Sequence, residues 1–234
     1  MVEQTMGPIG LIIPSYNVEP QLRMLLREIR ELPKVKSGEW VPIVVDDCSS
    51  DDTSLVAHQY IVTVIKHTSN KGKGAALSTG FNYALEKGFS AVVTIDGDCQ
   101  HDPASIASLI ETAEKGNHDI VIGCRMENTK DMPMQRVLSN TLTSTIISSL
   151  ARQKIPDSQS GFRFIKSTVL TSMNLTHTGY EAESELLIKA GRQGFKIGSM
   201  PIETIYNDED ETSHIRPVRD TLRFLSLILK SLRF

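Results

Sequence analysis

The chain is poor in cysteine, has no long apolar run and carries no marked excess of either charge. Its three cysteines, Cys48, Cys99 and Cys124, stand apart without a CxxC or other metal-ligand spacing. That argues against a zinc site or a disulfide framework and for free thiols in a reducing compartment. No segment reaches the ~18 consecutive apolar residues of a membrane-spanning helix. The opening MVEQTMGPIG lacks a basic stretch followed by an apolar one, so no secretory signal is expected. A net charge of −3 does not suggest a nucleic-acid partner. Internal repeats, low-complexity tracts and long linkers are also missing. The expected setting is cytoplasmic, free or attached to a membrane surface.

What is present suits one α/β domain with a small appendage: 234 residues, 40% hydrophobic and 23% charged. Strands are expected at 9–13, 41–45, 61–66, 91–95 and 120–123, alternating with helices at 19–32, 74–87 and 103–115. Strands that are apolar throughout and separated by helices indicate a mostly parallel sheet covered on both faces. Ligands of such sheets bind at the carboxyl ends of the strands. The second half reads as a helix over 135–153 with an apolar stripe of Leu138, Leu142, Ile146 and Leu150. A strand at 162–166, a helix at 180–192, one or two strands within 195–205 and a final helix at 216–233 follow.

The polar residues after each expected strand are therefore the informative ones. Pro14-Ser15-Tyr16-Asn17 follows the first, and VVDDCSSDDT, containing Asp46 and Asp47, closes the second. An acid at a strand end either accepts hydrogen bonds from a base or ribose or caps the next helix, and Asp51 and Asp52 read as caps. Asn70-Lys71-Gly72-Lys73-Gly74 leads into a helix with the glycines and cations of an anion-binding loop, although its spacing is not that of a Walker A loop. The sharpest feature is Asp96-Gly97-Asp98-Cys99-Gln100-His101, where an apolar strand delivers two carboxylates and an amide oxygen to its carboxyl end. Asp96, Asp98 and Gln100 suit Mg²⁺ or Mn²⁺, hard cations that take oxygen ligands and keep positions open for phosphate oxygens. His101 is placed to support that loop. His67, His118 and His177 read as ordinary surface or turn residues.

This ordered set, completed by Asp157-Ser158-Gln159-Ser160-Gly161-Phe162-Arg163, resembles the family-2 glycosyltransferases. Within them it is most similar to the dolichyl- and polyprenyl-phosphate mannosyl- and glucosyltransferases. The resemblance runs from about residue 9 to 230. It implies a GT-A fold with a catalytic domain at 1–210, and a loop and amphipathic basic helix at 211–234. It implies that Pro14, Tyr16 and Asp46 line the nucleotide pocket and that Asp96 sits beside nucleotide and metal. Asp98 and Gln100 would hold the metal at the diphosphate. Arg125 would meet the lipid phosphate, Arg136 and Ser139 would extend that acceptor site, and Arg163 would belong to the catalytic set. Lys73, Ser213 and His214 are further donor-side candidates; His214 stands where many relatives carry lysine.

The implied reaction is an inverting transfer of a hexose from GDP-mannose or UDP-glucose to a polyprenyl phosphate. The alternative is a glycan or small-molecule hydroxyl as acceptor, which would need a base, for which Glu181, Glu183 and Glu185 are candidates. At ~100° per residue, Arg216, Arg219, Arg223, Ser226, Lys230 and Arg233 share one side of the final helix. Val218, Leu222, Leu225, Leu229 and Leu232 share another, an arrangement suited to a lipid headgroup layer.

Overall fold

The computed structural model describes residues 7–60, 62–129, 132–203, 224–229 and 231. In chain order the elements are β1 (Ile9–Ser15), α1 (Glu19–Ile29), α2 (Pro33–Lys36), β2 (Trp40–Asp46), α3 (Thr53–Gln59), β3 (Thr63–Lys66), α4 (Lys73–Glu86) and β4 (Ala91–Thr94). There follow α5 (Ser105–Gly116), β5 (Ile120–Cys124), α6 (Met134–Ala151), β6 (Arg163–Lys166), α7 (Ser167–Ser172), α8 (Glu181–Arg192) and β7 (Ile197–Pro201). The strands form one sheet in the order β3-β2-β1-β4-β6-β5-β7. β1 pairs in parallel with β2 and β4, β2 with β3, and β5 with β7. β6 runs antiparallel to both β4 and β5.

The apolar strands are explained by two cores. Successive side chains of a strand point to opposite faces, so Ile12, Ile43, Val45 and Val92 join one core while Leu11, Ile13, Val44 and Val93 join the other. The first face is covered by α4, α6 and α8 through residues such as Phe81, Ile147 and Leu187. The second is covered by α1 and α5 through Leu22, Leu26, Ile106 and Leu109.

Three local expectations change. The helix expected over 19–32 stops at Ile29, because Leu32 is extended (φ −62°, ψ 130°) ahead of Pro33, which opens the short α2. The short α7 is an addition to the expected elements. The stripe of α6 does not run into the core as a unit: Leu150 is buried, but Leu138 is 70% and Leu142 62% exposed. The buried face carries Asn140, Ser144, Ile147 and Ala151 instead. In the final helix, Leu227 is buried while Leu225 and Leu229 remain outside. The 210/211 boundary, Ser213, His214 and the basic residues Arg216, Arg219, Arg223, Lys230 and Arg233 lie outside the described residues.

Candidate active site

The site is built where β1, β2, β4 and β5 end and the antiparallel β6 begins. Ile95 still donates to Ile12 O (3.1 Å), so the sheet holds the chain in line up to Asp96. Arg163, the first residue of β6, pairs with Thr94, and Thr94 Oγ1 donates to Gly161 O at 2.6 Å. These contacts lay the Ser160–Gly161 backbone against the Asp96 carboxylate. A Cβ on Gly161 would stand 2.8 Å from Asp96 Cγ, so this approach requires glycine.

From the other side comes Lys73, at the start of α4. Its ammonium lies 2.8 Å from Asp96 Oδ1, 3.0 Å from Asp96 Oδ2 and 3.0 Å from Glu183 Oε2. Burial alone would lower the Lys73 pKa, but the two carboxylates outweigh it and raise it. Burial likewise works against ionised Asp96, and the lysine beside it holds its pKa below the usual value. Lys73 is thus a counter-ion for two acids. The loop before it is tight: Gly72 has φ 97°, and a Cβ there would stand 2.7 Å from Thr178 O.

The turn after Asp96 is closed by Gln100 N donating to Asp98 Oδ1 at 3.0 Å. Asp98 and Gln100 are both half-buried. Asp102 accepts from Ala104 N at the start of α5. His101 is 4% exposed, stacks on Phe162 at 5.3 Å, and has its Nδ1 buried without a hydrogen-bond partner. Burial, which outweighs the opposing pull of Asp96, pushes its pKa down to about 4, so the ring is neutral near pH 7. Among the described residues no three His, Cys, Asp or Glu side chains gather as a metal site. The donors at hand are hard oxygens, and with Lys73 on Asp96 a cation would rest chiefly on Asp98 and Gln100. That sparse set matches an ion completing its shell with water and substrate phosphate.

The other sequence candidates divide. Pro14 and Tyr16 are half-buried at the β1 end. Asp46 is fully buried; its carboxylate accepts from Ser49 N (2.8 Å) and from Ser54 Oγ, and pairs with Lys66 at 3.3 Å. It therefore shapes the 49–54 loop. Asp51 accepts from Thr53 N (3.0 Å) and Glu19 N (3.1 Å), the first residues of α3 and α1, while the N-cap positions themselves, Asp52 and Val18, make no side-chain cap bond. Arg125 forks onto buried Asp157 through Nε (2.8 Å) and Nη2 (3.0 Å), tying the β5 end to the 157–163 segment. Arg163 is 2% exposed and donates to the carbonyls of Ser160 (2.8 Å), Ser158 (2.9 Å) and Glu183 (2.9 Å). Placed among the catalytic residues by sequence, it sits inside the fold and braces the glycine turn against α8. Arg136 and Ser139 are exposed in the first turns of α6.

Of the acidic residues at the start of α8, Glu185 is filled. It accepts from Thr176 N and Oγ1, His177 N, His177 Nδ1 and Lys189 Nζ at 2.6–3.1 Å. Burial alone would raise its pKa, but these donors outweigh it and bring it down to about 2. It therefore pins the 174–177 loop and has no capacity left to act as a base. A group depressed in the folded state contributes stability above its unfolded pKa and loses it as pH falls towards the folded value. Glu185→Gln is accordingly expected to lower Tm by several degrees at pH 7 (about 1–3 kcal/mol). The gap should close between roughly pH 4.5 and 2. Calorimetric melts of both proteins across that range check it, and a pH-independent gap would refute it.

Sequence reasoning read Asp47 only as part of an acid pair and misread His67, which is 6% exposed and not a surface residue. The available signal was strand alternation, which sends Asp47 to the side opposite Asp46.

The Glycosyl transferase family 2 profile matches residues 11–172 of this chain. The UDP-N-acetylglucosamine–dolichyl-phosphate N-acetylglucosaminyltransferase of Methanococcus voltae is 34% identical over 222 residues, covering 86% of each chain. The polyprenol monophosphomannose synthase of Mycolicibacterium smegmatis is 29% identical over 205 residues, covering 82% of this chain and 75% of the relative. The Mycobacterium tuberculosis glucosyl-3-phosphoglycerate synthase, solved with Mn²⁺, UDP and phosphoglyceric acid, superposes with a TM-score of 0.73 at 20% identity, covering 97% of this chain and 77% of the other. The fold is the GT-A fold that the motifs implied. With the family profile matching residues 11–172 and a relative matched over most of both lengths, the chain belongs to glycosyl transferase family 2.

Proposed function

We propose that the protein transfers a sugar from a nucleoside diphosphate onto a polyprenyl phosphate, with inversion at the anomeric carbon. The observation that carries this is the half-buried Asp96–Gln100 turn at the strand ends, with Lys73 set against its first carboxylate, in a chain whose relatives include two polyprenyl- or dolichyl-phosphate transferases. Asp98 and Gln100 would hold Mg²⁺ or Mn²⁺, which supplies positive charge to the departing diphosphate. Lys73 balances Asp96, so that this acid adds less repulsion towards the incoming diphosphate.

The bond from the anomeric carbon to the diphosphate oxygen breaks as a phosphate oxygen of the acceptor bonds to that carbon. A phosphate monoester with its second pKa near ~6 is mostly dianionic at neutral pH, so no proton need be removed. The acid arrangement agrees: Glu185 is saturated, and Glu183 faces Lys73 and lies 3.9 Å from Arg163. Arg136 and Ser139 lie on the exposed side where the acceptor phosphate would enter, and Arg125, oriented by Asp157, stands at the β5 end of the same edge.

A lipid acceptor requires a surface that tolerates lipid. Met134, Leu138 and Leu142 follow one another at four-residue spacing and are 85%, 70% and 62% exposed, so they form one outward stripe. None of the described helices is long and apolar enough to cross a membrane, and we place this stripe in the headgroup layer of the cytoplasmic leaflet. Leu138→Asp with Leu142→Asp is expected to weaken partition onto phosphatidylglycerol vesicles by about 10-fold or more. Unchanged cosedimentation would remove the stripe from the membrane contact.

The function itself is tested with purified protein, Mg²⁺ or Mn²⁺, a short polyprenyl phosphate and radiolabelled UDP-glucose, UDP-N-acetylglucosamine and GDP-mannose. Metal-dependent label in the organic phase is the expected result. Label appearing only on hydroxyl acceptors would reject the lipid-phosphate reading.

A further inference from the structure

Glu185 and Lys189, one turn apart on α8, grip the loop over 173–180 that joins α7 to α8. Glu185 is 3% exposed. Its carboxylate takes the consecutive amides of Thr176 and His177, each at 2.9 Å. Lys189 Nζ lies 2.6 Å from Glu185 Oε1 and donates to Asn174 O at 2.5 Å. Beyond that grip, the same loop lies on the turn that carries Lys73. Thr178 O accepts from Ala75 N at 3.1 Å. A Cβ on Gly72 would stand 2.7 Å from Thr178 O, and one on Gly74 would stand 2.6 Å from Gly179 O and 2.5 Å from Ala182 Cβ. The two glycines that flank Lys73 are therefore both pressed against 178–182.

We propose that Glu185, with Lys189, is a positioning residue: through the 174–180 loop it sets Lys73 onto Asp96 and Glu183. What Lys73 then does for catalysis rests on the transferase reading above. Hydrogen bonds from backbone amides to a buried carboxylate are strong ones, and two consecutive amides fix both the place and the direction of the segment. Held there, the loop cannot back away from the first turn of α4. That turn needs the wall, because the glycines on either side of Lys73 have no side chains with which to anchor it. The Lys73 ammonium also lies 5.8 Å from the ring of Tyr180, which ends the loop. If the grip is lost, the loop recedes and the lysine loses its fixed origin. Asp96 is then left without its counter-ion beside the diphosphate position, which weakens donor binding as well as turnover. Displacements of ~1 Å in such positioning groups cost on the order of 10²-fold in rate.

The test reads Lys73 directly. Purified wild type and Glu185→Gln are labelled with acetic anhydride, and the acetylation of each lysine is followed by mass spectrometry. An ammonium held between two carboxylates gives up its proton reluctantly and reacts slowly. Labelling of Lys73 is expected to rise at least about 5-fold in Glu185→Gln. Lys166, paired with Asp119 at 3.1 Å, is the internal control and should not change. Hydrogen exchange should rise at least about 10-fold over 173–180 and over 72–76, while β1 and β4 stay protected. In the transfer assay Glu185→Gln should lower kcat/KM about 30-fold, with donor KM rising as part of that loss. Added to Lys73→Met, it should cost less than about 3-fold more, because residues acting through one group are not additive. Lys189→Met should act in the same direction but more weakly, and Lys189→Arg, which keeps a donor for both oxygens, should restore wild-type labelling.

Unchanged labelling of Lys73, or a full additive loss on top of Lys73→Met, overturns the proposal. So does a rise in labelling that Lys166 shares, which would report general loosening of the fold. If Glu185→Gln does not fold, the Lys189→Met and Lys189→Arg pair decides by the same readouts. If the wild type transfers no sugar to lipid, the transferase reading fails, and labelling and exchange, which need no substrate, still decide the positioning role.

Discussion

Asp98→Ala is expected to lower metal-dependent sugar transfer by about 10³-fold while leaving the fold nearly intact. The carboxylate sits half-buried on the turn after β4, and the hydrogen bond from Gln100 N is a local one. Losing it costs the fold about 1 kcal/mol, a Tm change of a few degrees at most. Losing the anionic oxygens would remove the strongest hard-cation donor that the turn offers, and a missing electrostatic contact to a developing charge is worth on the order of 10²–10³ in kcat. Gln100 alone is neutral and cannot replace it. Initial rates over a Mn²⁺ titration, beside thermal melts, read both halves of this expectation. A variant that keeps more than about a tenth of the wild-type rate would place the cation, or the leaving-group charge, elsewhere.

Gly161→Ala is expected to cost about 10²-fold in kcat through a residue that offers no functional group at all. Its added methyl would fall 2.8 Å from Asp96 Cγ and closer to Oδ2. The neighbours have little freedom to yield: Gly161 O is held by Thr94 Oγ1 at 2.6 Å, and Arg163 braces the same turn from within. The Asp96 carboxylate must then move off Lys73 or the turn must lift from β4. Overpacking of this kind costs roughly 1–3 kcal/mol in stability, so a measurable Tm loss should accompany the rate loss. Wild-type turnover with an unshifted Tm would mean that the turn does not press on Asp96 in solution.

Much of the molecule was legible in the residues. The apolar strands, the polar clusters at their carboxyl ends and the DGD turn follow from patterning that any covered parallel sheet must show. The direction of β6 was not legible, because an apolar run reports burial and carries no sign of which way the strand points. That direction matters, since it alone brings Ser160, Gly161 and Arg163 to the edge where Asp96 lies. For α6, periodicity identified an apolar stripe without saying which side faces inward. The inward side is instead set by Asn140 and Ser144, the latter linked to Ser158 in the loop across from it.

The sequence by itself determined the family, the GT-A sheet and the acidic turn that defines the chemistry, since these depend on local pattern and on the order of motifs along the chain. Only the tertiary structure decided how the charges are shared. Lys73 looked like an anion ligand and proves to be a counter-ion to Asp96 and Glu183. Arg163, expected in the catalytic set, is buried and braces the glycine turn against α8. Asp47, one of the two acids at the β2 end, accepts from Lys71 N, and His67, expected at the surface or in a turn, is buried against it. The physical reason is common to all of them: a buried charge must be paired and hydrogen-bonded, and its partners come from segments whose distance along the chain says nothing of their nearness in the fold.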